Sequence, residues 1–270
     1  VHRHLNSDIR KVRPARDFRR FVVVGDSCAE GLDDRYPDSE HYRGWADLVA
    51  TELERRHPGV HYANLAVRGK RLDQIVTEQL PAARPLRPDL VALFGGVNDL
   101  LTRGCSAATL HGRVDRAVGG LTEICDTVVV FTVSDISRQS PVLRGLRGRI
   151  GLLNGAVRHA ANTHGATLVD LASQESVDDL RYFGPDRLHL AAPGHRRVAA
   201  QVLTSLGMTA DPAWTAPLPG APVRAGFRSH LQWAWQQAAP VLVSRARNVV
   251  VRRQPGDGFA AKRPHLTPVG

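Results

Sequence analysis

The feature that most constrains this chain is an alternation. Short apolar, largely β-branched runs at 21–24, 60–65, 90–94, 127–133 and 167–171 are separated by stretches whose apolar residues recur at helical spacing. In the first of these, residues 45–56, Trp45, Leu48, Val49 and Leu53 share one face, and His57-Pro58-Gly59 ends the pattern. Helices are also expected at 71–83, 106–124, 144–163 and 193–206, with Ser106 as a cap and Pro193 in a first turn. Strands joined through helices cannot pair as tight hairpins, and such crossovers make neighbouring strands parallel. The predicted fold is α/β: a three-layer α/β/α sandwich around a five-stranded parallel sheet.

The 270 residues, 43% of them hydrophobic, suffice for one substantial core with extensions. The net charge of +10 suggests a polyanion partner until it is located. Residues 1–20 contribute +5 and residues 208–270 contribute +6, while 21–207 carries 21 basic and 22 acidic residues. The basicity belongs to the ends. The expected organisation is a basic N-terminal segment at 1–19, an α/β domain at 20–207, and a basic extension containing Pro, Trp and Arg at 208–270. Cys28, Cys105 and Cys125 form no C-x-x-C pair, so neither a disulfide framework nor a zinc site is expected, and a cytoplasmic setting fits. The start of the chain lacks the apolar core of a secretory signal, and no 18-residue apolar window suggests a membrane span.

In open parallel sheets, ligands bind beyond the carboxyl ends of the strands. Four stretches fall there. The first strand runs into Gly25-Asp26-Ser27, where a serine can act as a nucleophile if a base reaches it; alone, the tripeptide equally reads as a turn or a helix cap. After the second strand comes Gly69, a loop glycine able to offer its N–H. After the third comes Gly95-Gly96-Val97-Asn98-Asp99, where Asn98 can aim its amide at developing negative charge. After the fifth, Asp186 and His189 stand three apart on one turn, so the carboxylate can hold the imidazole by Nδ1 and leave Nε2 free. Each piece alone has an ordinary structural reading.

Taken in this order, the four pieces resemble the SGNH hydrolases, also called GDSL-type esterases and lipases, over residues 20–207. The resemblance implies a flavodoxin-like fold with Ser27 as nucleophile, His189 as base and Asp186 as its orienter. It also implies an oxyanion hole made by the Ser27 amide, Gly69 and Asn98. Each such donor is worth about 3–4 kcal/mol to a transition state. Asp26 and Asp99 match motif positions and are read as orienting loops. The chain departs from the family's pattern after the serine, with Cys28-Ala29-Glu30-Gly31, and at Ala66-Val67, where a small hydroxyl residue is usual. The implied chemistry is ester hydrolysis through an acyl-enzyme, with no metal or organic cofactor and a small-molecule ester as substrate. The same site could serve an acyltransferase or thioesterase acting on a metabolite or carbohydrate. Substrate choice is expected from loops 30–43 and 134–146, the second holding Arg138 and Arg144.

The stretch after residue 207 resembles extensions on actinobacterial members of that family. Trp233, Trp235, Val241, Leu242 and the valines at 249–251, set among arginines, can lie at a lipid interface, which would make a membrane-associated lipase or binding protein. The alternative is that the arm packs across the hydrolase body. Residues 254–270 read as loose. No aromatic–basic stripe suggests nucleic acid as a partner.

Overall fold

β1 (Arg20–Gly25) sits inside the sheet, and Phe21, Val22, Val23 and Val24 are fully buried. Such a run is uniformly apolar because layers cover both of its faces. It pairs in parallel with β2 (His61–Asn64) on one side and β3 (Leu90–Phe94) on the other, Phe21 lying opposite both Tyr62 and Leu90. β4 (Val128–Phe131) and β5 (Thr167–Val169) continue outward from β3 in parallel. The computed structural model describes residues 17–37, 39–102, 104–139, 141–174, 179–226, 229–230, 233, 235–236, 253–254 and 256–269. The basic residues 1–16 and the valine–arginine stretch at 241–252 lie outside the described residues, as does the side chain of Arg138.

The sheet order is β5-β4-β3-β1-β2-β6, with β6 at Arg263–Pro268, so the chain steps from β1 one way to β2 and then back past β1 to β3. Right-handed crossovers then place α2 (Gly44–Arg56) on one face, and on the other the segments after β2 together with α5 (Ala107–Thr122) and α6 (Arg147–His164). The packing agrees: α5 lies against α6, while α7 (Ala192–Ser205) returns to α2. The reversal between β1 and β3 opens a crevice at the end of β1, where Ser27 begins the short helix α1 (Ser27–Glu30).

Two expectations are corrected. The helix foreseen at 71–83 is irregular: α3 (Leu72–Gln74) and α4 (Leu80–Ala83) flank a π-helical segment, Ile75–Gln79. The wider turns end at Gln79, whose buried side chain pins both backbone groups of Gly25. The Gly25 N–H donates to Oε1 at 2.7 Å, and Nε2 donates to the Gly25 carbonyl at 2.9 Å. The sheet, foreseen as five parallel strands, has a sixth. β6 (Arg263–Pro268), from the tail expected to be loose, pairs antiparallel with β2, with Tyr62 opposite Thr267. Pro264 and Pro268 suit an edge strand, where a missing N–H costs little. Just before β6, Lys262 Nζ is buried against Asp47 Oδ1 at 2.8 Å and donates to the carbonyls of Tyr42 and Arg43. A short helix, α8 (Pro212–Thr215), follows α7. Among the described residues, no helix is long and apolar enough to cross a membrane.

Candidate active site

β1 ends where no side chain fits. Gly25 has φ +146°, and a Cβ there would lie 2.1 Å from the Phe94 carbonyl oxygen. The strand therefore turns at once into Asp26, which is completely buried. Asp26 Oδ1 accepts the Cys28 N–H at 3.0 Å, capping α1. Its Oδ2 accepts the Gly96 N–H and the Asn98 Nδ2–H, each at 3.2 Å. One carboxylate thus joins the Ser27 turn to the Asn98 loop. Burial pushes its pKa up to about 6 against these donors and the nearby His189 charge.

His189 Nε2 lies 2.7 Å from Ser27 Oγ, and Nδ1 lies 2.5 Å from Asp186 Oδ2. An ionised carboxylate can only accept, so the ring proton belongs on Nδ1 and the Nε2 lone pair faces the serine hydroxyl. Asp186 Oδ1 also accepts the backbone N–H groups of Leu188 and His189 at 2.9 and 3.0 Å. Burial would raise the Asp186 carboxyl, but the His189 contacts and the two amides more than offset this and hold it below its ordinary value. Burial would lower His189, yet the bond and charge of Asp186, with the charges of Asp33 and Asp26, raise it. The arrangement suits an imidazole that takes a proton from Ser27 and is stabilised once charged.

The Asn98 amide bridges two loops, donating to Asp26 Oδ2 and to the Lys70 carbonyl at 3.2 Å. That carbonyl belongs to the turn carrying Gly69, whose φ is +84°. The turn is held to β1 by the Val67 N–H, which donates to the Gly25 carbonyl at 3.2 Å. Among the described residues, neither the Ser27 nor the Gly69 N–H has a protein acceptor, so both remain open to a ligand oxygen. Asp99 is buried and accepts the Leu72 N–H at 3.0 Å and Arg113 at 2.7 Å, an orienting position away from the serine.

Several neighbours gave no sequence signal. Glu30, one of the departures from the family's pattern, is buried and accepts the Arg68 N–H at 2.9 Å as well as its guanidinium, tying the end of α1 to the Gly69 turn. The Trp45 indole donates to the Cys28 carbonyl at 2.9 Å. Burial and the Asp26 charge push the Cys28 thiol well above its ordinary range, so it stays a packing group. Asp33, at a left-handed φ of +66°, reaches over Gly184, where a Cβ would lie 2.1 Å from its carboxylate. Its ligand atoms, with those of Asp186 and His189, all lie within 4.8 Å of one another. Asp186 and His189 are already committed to each other and to Ser27, so Asp33 acts here as a charge beside the imidazole rather than as part of a metal seat. Of the two loop arginines, Arg144 is exposed.

The structure resembles LAE5, an α/β hydrolase enzyme from the metagenome of Lake Arreo, Spain, with 20% identity, TM-score 0.57, and coverage of 72% of this chain and 97% of that one. It resembles the acetylxylan esterase Axe2 of Geobacillus stearothermophilus (17% identity, TM-score 0.56, 70% and 94% covered). It also resembles the lipase/acylhydrolase of Enterococcus faecalis (23%, 0.53, 68% and 93%). At these identities the likeness is one of fold, and no curated protein matches the chain. The family is shown by sequence: residues 23–197 match the model of the GDSL-like Lipase/Acylhydrolase family, and the chain belongs to it. It is a hydrolase acting on esters.

Proposed function

We propose that the chain is a serine esterase that hydrolyses carboxylic esters, of acyl or acetyl groups, through an acyl-enzyme on Ser27. The observation that carries this reading is the unbroken contact from Ser27 Oγ through His189 to Asp186. His189 takes the Ser27 proton as Oγ attacks the ester carbonyl, and Asp186 holds the ring and its new charge. The oxyanion is received by the open Ser27 and Gly69 amides, and the Asn98 side chain joins them as third donor on releasing one of its two bonds, to Asp26 Oδ2 or to the Lys70 carbonyl. His189 then protonates the leaving alcohol and activates water to release the acyl group. Acetylated carbohydrate is the first natural substrate class to try, because Axe2, a neighbour in fold, is an acetylxylan esterase. Transfer to an alcohol, an amine or a thiol in place of water would need no change in these residues. A cytoplasmic setting is in keeping with three free cysteines. Trp233, 7% exposed, favours an arm packed on the body at that point, while Trp235, 82% exposed, keeps its ring open to solvent or a partner surface.

The test is a series of p-nitrophenyl esters of graded chain length, run with the wild type and Ser27→Ala together. Short esters should be turned over by the wild type, and the variant should lose about 10⁴-fold or more. Undiminished turnover by Ser27→Ala refutes the assignment.

A further inference from the structure

The Asp186–His189 turn is closed by its own hydrogen bonds, and a segment more than forty residues later reaches back to it. The Trp233 indole N–H donates to the Asp186 backbone carbonyl at 2.9 Å. The next residue, Arg187, has a left-handed φ of +59° and is 7% exposed, an unusual place for a guanidinium. Among the described residues it forms no ion pair. It donates instead to His230 Nδ1 at 2.9 Å, to the Ser229 carbonyl at 3.0 Å, to Ser229 Oγ and to the Gln139 carbonyl, and its guanidinium lies over the Trp233 ring, 5.6 Å from the centroid. The Arg187 guanidinium is spent on Gln139, Ser229 and His230, while Asp186 and His189 form the line of contacts that ends at Ser27. The buried fork thereby fixes the sense of the turn from behind. None of these groups touches Ser27, so their influence on the chemistry must pass through Asp186 and His189.

We infer that Trp233 and Arg187 are positioning residues for the esterase reaction, and that Ser229, His230 and Trp233 are working parts of the site. The inference rests on the esterase reading for its kinetic consequence only. The segment holds the Asp186 carbonyl and the buried Arg187, the turn holds the carboxylate, and the carboxylate holds the imidazole against Ser27. A looser Asp186 supports the charged imidazole less well, which lowers both the rate and the pH at which His189 titrates.

The experiment uses the full chain with Trp233→Phe, which keeps a ring beside Arg187 and removes the donor, and Arg187→Gln, which removes the fork. With a short p-nitrophenyl ester, kcat per folded molecule should fall about tenfold in each, the equivalent of about 1.4 kcal/mol, with KM within about twofold of wild type. The His189 imidazole, followed by NMR, should titrate at lower pH than in the wild type. A merely structural role would lower the unfolding midpoint and leave both kcat of the folded protein and the titration unchanged; that result overturns the inference. The titration needs no turnover. An unshifted His189 therefore defeats the positioning role whether or not the esterase reading holds, while absence of Ser27-dependent turnover defeats the esterase reading and leaves the titration to decide this one.

Discussion

Asp26 is the place to test how the site trades stability for organisation. Its carboxyl, ordinarily near 3.8, is pushed to about 6 by complete burial. A raised acid favours the native state while protonated. Its contribution is fully present below 3.8 and is lost as the pH rises through 6, and the two values together correspond to about 3 kcal/mol. Wild-type protein alone will not reveal this, because His195 slopes the other way. Its ring is buried, takes the Trp45 N–H on Nδ1 at 3.1 Å and meets the Leu32 carbonyl through Nε2 at 3.0 Å. Burial lowers its pKa from 6.5 to about 4. That contribution is present above 6.5 and lost as the pH falls through 4, by a similar amount. Asp26→Asn removes one slope and keeps the other. Unfolding free energies from urea titrations, measured for both proteins from pH 3.5 to 7.5, should give a wild-type-minus-variant difference that falls by about 3 kcal/mol as the pH rises. A constant offset accompanies it. However the new amide is turned, its NH₂ faces either the Cys28 N–H or the Gly96 and Asn98 donors, and each buried donor left unpaired costs about 1–3 kcal/mol. A difference independent of pH would refute the claim that Asp26 is held in a site hostile to its charge.

Two further outcomes concern Asp33, beside His189, and Lys262, seated on Asp47. Asp33 adds negative charge beside His189, so Asp33→Asn should move the acid limb of kcat/KM to lower pH, from a wild-type position above the ordinary imidazole value; an unmoved limb in the pH–rate profile would remove Asp33 from the site's electrostatics. Lys262→Ala leaves the buried Asp47 with the Tyr36 and Tyr62 hydroxyls as its hydrogen-bond partners among the described residues. It should cost about 3 kcal/mol in urea unfolding while leaving kcat of the folded protein within about twofold, and an unchanged midpoint would show that β6 is held by its ladder alone.

The parallel body was legible because its strands are buried on both faces. The Phe21–Val24 run and Leu90–Phe94 carry their environment in their composition, and the helices between them fix the hand of every crossover. What was not legible depends on contacts distant in sequence. β6 contains two prolines and an arginine, which by local preference argue against a strand, and only the open edge of β2 and the seat for Lys262 on Asp47 recruit it. The π-helical turns at Ile75–Gln79 follow from where the Gln79 amide must lie to meet Gly25, 54 residues earlier. The site divides in the same way. Ser27 and Asn98 stand just past strand ends beside glycines, and Asp186 and His189 lie in the loop after β5, so their order along the chain pointed to one crevice. Asp33 sits in a polar loop where an aspartate in a left-handed turn is unremarkable, and Trp233 lies in a stretch whose apolar residues read equally well as a surface-seeking arm.

The aspartates show why motif and role are separable. Asp26, Asp33 and Asp186 all stand near one imidazole, yet burial wins at the first two and donors win at the third. Asp186 faces His189 with one oxygen and two backbone amides with the other, so its charge is satisfied by groups that move with it. Asp26 has more burial than its three donors repay, and those donors belong to separate loops. Protonating it would therefore loosen the Gly96–Asn98 loop from the Ser27 turn rather than disturb the base. Asp33 has only longer-range company, Arg35 and Arg68 against Asp186, and it tunes His189 without holding it. A single residue type thus fastens the loops, sets the local charge and holds the imidazole, and the difference follows from how many donors reach each carboxylate and which loops those donors belong to.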